Sequence, residues 1–140
     1  ARRLAMTTYR TPEEFETRFG AAEPGSRDAG GIAAYLAARG ADYAATTTPE
    51  RFLALSRSMD SHLIDPCRIV CPVTYLAAIE DRLVPADQIR AAAEATPAGR
   101  LNSFHSIYGH DAFLKETDTI AAALQGFTEE LTERDRQGRR

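Results

Sequence analysis

Two residues of this chain, Asp81 and His110, have the types and the spacing of an acid–base pair. Asp81 follows an apolar run at 69–79 that is rich in β-branched residues and typical of a strand buried on both faces. His110 follows a second predicted strand at 101–107. Neighbouring parallel strands would bring both residues to one edge of a sheet, where the carboxylate can fix the histidine tautomer and the imidazole can act as a general base.

The same two residues also have a purely structural interpretation. An aspartate after a strand commonly caps a helix or forms a turn, and a lone histidine in a loop is commonly a surface residue. The spacing alone therefore leaves both interpretations of Asp81 and His110 open.

The elements that must position this pair are predicted from hydrophobic periodicity and turn residues. A helix at 85–95 connects the two strands, and another helix at 112–127 follows His110. This order of strand, helix, strand and helix is typical of a parallel α/β unit. Residues 1–62 are predicted to be helical without a strand, and the loop at 21–31 separates two of their helices.

Local signals mark the ends of the predicted helices in the first half. Thr11 and Thr48 each precede a proline at a helix start, and Glu14 can complete a capping box with Thr11. Gly20 is predicted to end one helix and Gly40 the short alanine-rich helix that begins at residue 32.

Composition excludes several classes of function. The chain has 140 residues, of which 44% are hydrophobic and 26% charged, and these values are ordinary for a soluble globular protein. A net charge of -3 argues against a nucleic-acid partner. The longest apolar run is about half the length of a membrane span, and no signal peptide is recognised, so we expect a cytoplasmic protein without a membrane anchor.

The residues that could bind metal do not form a recognisable metal site. Cys67 and Cys71 lack a second cysteine pair, so we expect buried free thiols. His62 and His105 are interpreted as structural or packed residues, and we predict no metal site.

Four segments of the chain resemble motifs of one known enzyme family. The segments EDRLVP at 80–85 and YGHDAFL at 108–114 resemble the acid loop and the histidine motif of the homoserine O-acetyltransferase and O-succinyltransferase family. ARRLAMTTYR at 1–10 is similar to a core segment, and RFLALSRSMD at 51–60 is similar to a lid helix. The resemblance favours the catalytic interpretation of Asp81 and His110, which also follow the chain order of the α/β-hydrolase triad.

The resemblance implies the C-terminal part of an α/β-hydrolase fold with a helical lid. Residues 1–8 would end a core helix, 9–66 would form the lid, 67–127 would complete the core and 128–140 would be a charged tail. Members of the family use their lid helices in a dimer, so a homodimer is expected.

The resemblance also implies roles in substrate binding. Arg2 matches an arginine that binds the amino-acid carboxylate, and Asp111 matches an aspartate that contacts the amino group. Tyr9 would line the same pocket. The alternatives are a surface charge for Arg2, a helix cap for Asp111 and a buried helix-end tyrosine for Tyr9.

The implied reaction is ping-pong acyl transfer from an acyl-CoA co-substrate to homoserine, on the route to methionine, with no cofactor. The sequence of residues 46–60 slightly favours a succinyl over an acetyl donor. Serine is kept as an alternative acceptor to homoserine.

The sequence contains no G-x-S-x-G motif that could carry the nucleophilic serine. We therefore expect a missing N-terminal half, as a separate chain or a cleaved segment, and an inactive chain without it. Two alternatives remain: an esterase or thioesterase on the same scaffold, and a non-catalytic assembly fragment.

Overall fold

The computed structural model describes residues 2–20 and 31–138. Most of the predicted loop at 21–31 lies outside the described residues. The described chain is mostly helical with two strands, and short 3₁₀ turns at Pro66–Arg68 and Gly109–Asp111 precede β1 and α6. The elements in chain order are α1 (Arg2–Tyr9), α2 (Pro12–Phe19), α3 (Ile32–Thr46), α4 (Pro49–Asp60), β1 (Val73–Ala78), α5 (Ala86–Ala95), β2 (Gly99–Phe104), α6 (Ala112–Lys115) and α7 (Thr117–Gly138).

The described residues before position 62 are helical, as predicted, and threonine caps begin two of the helices. The side chain of Thr11 accepts a hydrogen bond from the backbone N–H of Glu14, and Thr48 accepts one from that of Arg51. The predicted capping box forms only in part, because the Glu14 carboxylate pairs with Arg10.

The prediction that Gly40 ends a helix is wrong, since α3 continues to Thr46. A glycine inside a helix costs only about 1 kcal/mol relative to alanine, and alanines on both sides of Gly40 favour continuation. The glycine also allows close packing of α3 on α1, because a Cβ atom at this position would lie 2.9 Å from Cγ of Arg3.

The two strands form a parallel pair with α5 packed against both of them. The register runs from Val73 opposite Gly99 to Ala78 opposite Phe104. β1 begins later than predicted, after Pro72, which has no N–H to donate to a ladder. Only Ala77 and Ala78 of this strand are buried, because β1 has a single neighbouring strand in the described chain.

The C-terminal helix differs from the prediction at both ends. The helix after His110 breaks at Glu116, and the next one, α7, continues to Gly138 instead of giving way to a charged tail at 128. Ion pairs explain the extension: Glu130 binds Arg134 one turn further on at 2.7 Å and also binds Arg100 of β2.

Many large apolar side chains lie on the surface of the described residues. Phe52, Leu55 and Met59 of α4 are exposed, as are Leu63 and Val70 in the segment before β1. A surface with this much apolar area is typical of a chain that packs against further protein. Among the described helices, none combines the length and the apolar character needed to cross a bilayer.

Candidate active site

The structure brings Asp81 and His110 into hydrogen-bond contact at the carboxyl ends of β1 and β2. Oδ2 of Asp81 lies 2.9 Å from Nδ1 of His110. The other carboxylate oxygen, Oδ1, accepts hydrogen bonds from the backbone N–H groups of Leu83, at 2.8 Å, and Val84, at 3.0 Å. The turn after β1 thus fixes the carboxylate and directs one oxygen at the imidazole.

This contact determines which nitrogen of His110 can exchange protons with a substrate. When Nδ1–H donates to the carboxylate, the neutral imidazole carries its lone pair on Nε2. The Asp81 side chain is 12% exposed and that of His110 is 29% exposed. A partly open imidazole held by a nearly buried carboxylate has the arrangement of a general base with its orienting acid.

The loop that carries His110 requires a glycine before the histidine. Gly109 has a φ of 55°, in the left-handed region that residues with a side chain disfavour. A Cβ atom there would also lie 3.3 Å from the backbone oxygen of Tyr9 and 3.4 Å from Cγ2 of Thr11. The glycine therefore lets the histidine loop approach the end of α1.

Tyr9, the last residue of α1, lies beside the pair, and Arg2 at the start of α1 lies beside Tyr9. The ring centroids of Tyr9 and His110 are 5.4 Å apart. The guanidinium carbon of Arg2 lies 5.0 Å from the Tyr9 ring centroid and 5.3 Å from that of Tyr43 on α3. The structure thus places Arg2, Tyr9 and His110 in a continuous row.

Asp111 is bound by a residue that sequence reasoning missed. Nε of Arg10 donates to Oδ2 of Asp111 at 2.6 Å, and Nη1 of Arg10 lies 2.7 Å from Oε1 of Glu14. The alternative helix-cap role of Asp111 is not observed, since its side chain makes no capping hydrogen bond. No pattern in the sequence distinguishes Arg10 from its neighbours, because its partner lies far along the chain.

The pKa of Arg10 is raised above its ordinary value. Burial by itself lowers this pKa, but the hydrogen bond to Asp111 and the negative charges of Glu14 and Asp111 outweigh burial. Arg10 is therefore a permanently charged link between α2 and the histidine loop.

An apolar groove of about 230 Å³ opens beside the acid–base pair. Asp81 and His110 form its polar rim, and its walls come from β1, β2, α5, α6 and α7. Apolar side chains line the rest of it: Leu76, Val84, Ile89, Phe104, Phe113 and Ile120. The pair thus faces a recess that could accept an acyl chain or a further protein segment.

The remaining histidines and both cysteines lie outside the candidate site around Asp81 and His110. His62 is exposed, and Nδ1 of His105 lies 2.7 Å from Oε1 of Glu80 on the surface, so the interpretation of His105 as a packed residue is wrong. Cys67 and Cys71 are free, as expected, but the prediction that they are buried is wrong, since both are exposed in the segment before β1. In the part of the chain that the structure describes, no group of three metal-ligating side chains occurs.

A parallel strand–helix–strand unit with a hydrogen-bonded carboxylate and imidazole at its carboxyl edge defines the class: α/β proteins with an acid–histidine site. Comparison with the sequences of known proteins narrows this class to one group of enzymes. No protein-family model matches the chain. It is 46% identical over 127 residues to the homoserine O-succinyltransferase of Xanthomonas campestris, an alignment that covers 89% of this chain and 34% of that protein.

Two further relatives are named homoserine O-acetyltransferase. The homoserine O-acetyltransferase of Thermus thermophilus is 36% identical over 137 residues, covering 91% of this chain and 34% of the relative. That of Trichormus variabilis is 30% identical over 140 residues, covering 94% of this chain and 39% of the relative.

The chain is therefore a homologue of the homoserine O-acyltransferases, and the family resemblance found in the sequence is confirmed. It spans about a third of the length of the relatives it matches.

Proposed function

We propose that this chain is the acid–base portion of a homoserine O-acyltransferase with an α/β-hydrolase fold, in which Asp81 orients His110. One observation carries the proposal: Oδ2 of Asp81 contacts Nδ1 of His110 while backbone N–H groups hold Oδ1. The names of the relatives indicate the reaction. The contact between Asp81 and His110 provides the proton-transfer group that this reaction requires.

The nucleophile in this proposal is a serine from sequence outside the chain, since no G-x-S-x-G motif occurs here. In the first half-reaction Nε2 of His110 takes the serine proton as the oxygen attacks the thioester carbonyl. The tetrahedral intermediate collapses with loss of the CoA thiolate, which receives that proton. The C–S bond is broken in this collapse, and the acyl group remains on the serine as an ester.

In the second half-reaction His110 takes the proton from the side-chain hydroxyl of homoserine. The resulting oxygen attacks the acyl-serine carbonyl, and the serine leaves with the proton that His110 returns. Asp81 stabilises the imidazolium at each transfer. The reaction is thus ping-pong and leaves the enzyme unchanged.

Arg2 and Asp111 bind the acceptor in this scheme. The Arg2 guanidinium lies against the rings of Tyr9 and Tyr43, and its N–H groups would bind the carboxylate of the acceptor. Asp111 lies next to His110 and offers a carboxylate to the ammonium group. Tyr9 forms the wall between Arg2 and His110.

The donor, the assembly and the location belong to the same proposal. We favour succinyl-CoA over acetyl-CoA as the acyl donor on the basis of the sequence of residues 46–60. The exposed apolar side chains of α4, among them Phe52, Leu55 and Met59, would form the homodimer contact of the lid. The enzyme would act in the cytoplasm, where acyl-CoA and homoserine occur.

The test uses the complete protein that contains this chain, supplied with succinyl-CoA or acetyl-CoA and homoserine. We expect sustained CoA release, beyond the first turnover, to require homoserine and to be faster with the succinyl donor. His110→Ala should reduce turnover on the order of 1,000-fold with an unchanged thermal midpoint. CoA release at the same rate without homoserine would identify a thioesterase instead, and retained activity in the variant would remove His110 from the site.

A further inference from the structure

Arg10 is the centre of a nearly buried charge network between α2 and the histidine loop. The side chains of Arg10, Asp111 and Glu14 are 9%, 14% and 6% exposed. Arg10 uses Nε for Asp111 and Nη1 for Glu14, so the two carboxylates occupy different positions on one guanidinium. A lysine has one charged centre and cannot reproduce this bridging geometry.

The neighbours of Arg10 hold the same loop. Tyr9 contacts the ring of His110, and Thr11 donates a hydrogen bond to the backbone carbonyl of Ile107. The joint between α1 and α2 is thus docked on the histidine loop by three consecutive residues. Within this joint, Arg10 is the residue whose charge reaches the side chain of Asp111.

We propose that Arg10 is a positioning residue for the acyl acceptor, fixing the carboxylate of Asp111 where it meets the ammonium group of the amino acid. This inference rests on the proposed function. Glu14 in the first turn of α2 fixes Arg10 in turn, since it binds a different nitrogen of the guanidinium.

The two half-reactions should depend on Arg10 differently. Arg10 holds Asp111, whereas Asp81 holds His110. Loss of the Arg10 guanidinium therefore disturbs recognition of the ammonium group and leaves the proton-transfer pair in place. Acylation of the enzyme by the thioester, which involves no amino acid, should continue.

The experiment compares Arg10→Gln and Arg10→Lys with the unmodified complete protein. We expect the homoserine KM of Arg10→Gln to rise about tenfold or more, as for loss of one charge-assisted contact. The burst of CoA release without homoserine should stay within about twofold of the unmodified protein. Arg10→Lys should give a smaller rise in KM, because it keeps the charge without the bridging geometry.

Arg18→Gln is the matched control, because Arg18 also approaches Glu14, at 3.8 Å, but is 45% exposed. Its homoserine KM should be unchanged. If Arg10→Gln does not fold, as judged by its thermal midpoint, Arg10→Lys decides the question.

Two results overturn the inference. An unchanged homoserine KM in a folded Arg10 variant does so, and so does a burst that falls in parallel with acyl transfer, which indicates a merely structural role. Failure of the unmodified protein to acylate homoserine would instead refute the proposed function, and the inference with it.

Discussion

Tyr9 lies against His110, with ring centroids 5.4 Å apart, and this contact joins the first helix to the candidate catalytic histidine. Tyr9 also contacts Arg2, whose guanidinium carbon is 5.0 Å from the Tyr9 ring centroid. One tyrosine therefore contacts both the candidate proton-transfer group and the candidate carboxylate-binding group.

Arg2→Lys should raise the homoserine KM of the complete protein about tenfold while leaving acyl-enzyme formation in place. The physical reason is that lysine keeps the charge but loses both the stacking on Tyr9 and Tyr43 and the paired N–H donors. Steady-state kinetics with varied homoserine measures the effect. Arg39→Lys, at an exposed ion pair with Asp42 on α3, is the control and should behave like the unmodified protein. Equal kinetics for both variants would remove Arg2 from the site.

Asp81→Asn should reduce kcat on the order of 1,000-fold or more, because an amide donor facing Nδ1 favours the wrong tautomer of His110. The backbone hydrogen bonds from Leu83 and Val84 can still reach the amide oxygen, so we expect the loop to keep its shape. Turnover and thermal midpoint are measured together. A fully active asparagine variant would show that the carboxylate has no part in proton transfer.

Gly109→Ala should destabilise the protein by about 1–2 kcal/mol, because alanine disfavours the left-handed backbone. Its Cβ atom would also press on the backbone oxygen of Tyr9. We expect lower activity in addition, since the strain falls on the residue before His110. Denaturant unfolding gives the free energy.

Gly126→Ala provides the matched control for Gly109, because a Cβ atom at Gly126 on α7 meets nothing within 4 Å. This substitution should leave stability equal or raise it, by up to about 1 kcal/mol, since alanine favours a helix over glycine. Equal losses in the two variants would contradict the role assigned to the Gly109 backbone.

The stability of the protein should depend on pH through Glu80. Burial alone raises the pKa of Glu80, but hydrogen bonds from the Ser106 backbone N–H and from His105 outweigh it, so the pKa is lowered. A carboxyl whose pKa is lower in the folded state stabilises the protein above the ordinary glutamate pKa. This contribution is lost as the pH falls through the lowered value.

Thermal unfolding of the unmodified protein and of Glu80→Gln across acidic pH measures this contribution. The difference between them should be largest near neutral pH and shrink below the ordinary glutamate pKa. Glu129→Gln, at an exposed position on α7, serves as the control. A difference that is constant from neutral to strongly acid pH would refute the role of the Glu80 charge.

Much of the candidate site follows from local sequence. The two strands, the helix between them and the turns after them were predicted from periodicity and turn residues, and the structure places Asp81 and His110 together at the expected edge. Periodicity also predicted helices throughout the described part of residues 1–62. These features depend on interactions between residues close in the chain, which sequence patterns report directly.

Element boundaries were less predictable. Gly40 lies inside a helix and leaves room there for Arg3, and α7 extends because Glu130 binds Arg100 as well as Arg134. Glycine and charged residues locally favour a helix end or a solvated tail. In α7 a contact with another element changed the local outcome.

The sequence by itself determined the residue types and the order of elements that bring a carboxylate and an imidazole to one sheet edge. Only the tertiary structure decided that Arg10 binds Asp111 and that Tyr9 contacts His110. The reason is that these contacts join the beginning and the end of the chain. Their formation depends on how α1 packs against the histidine loop, which no local pattern specifies.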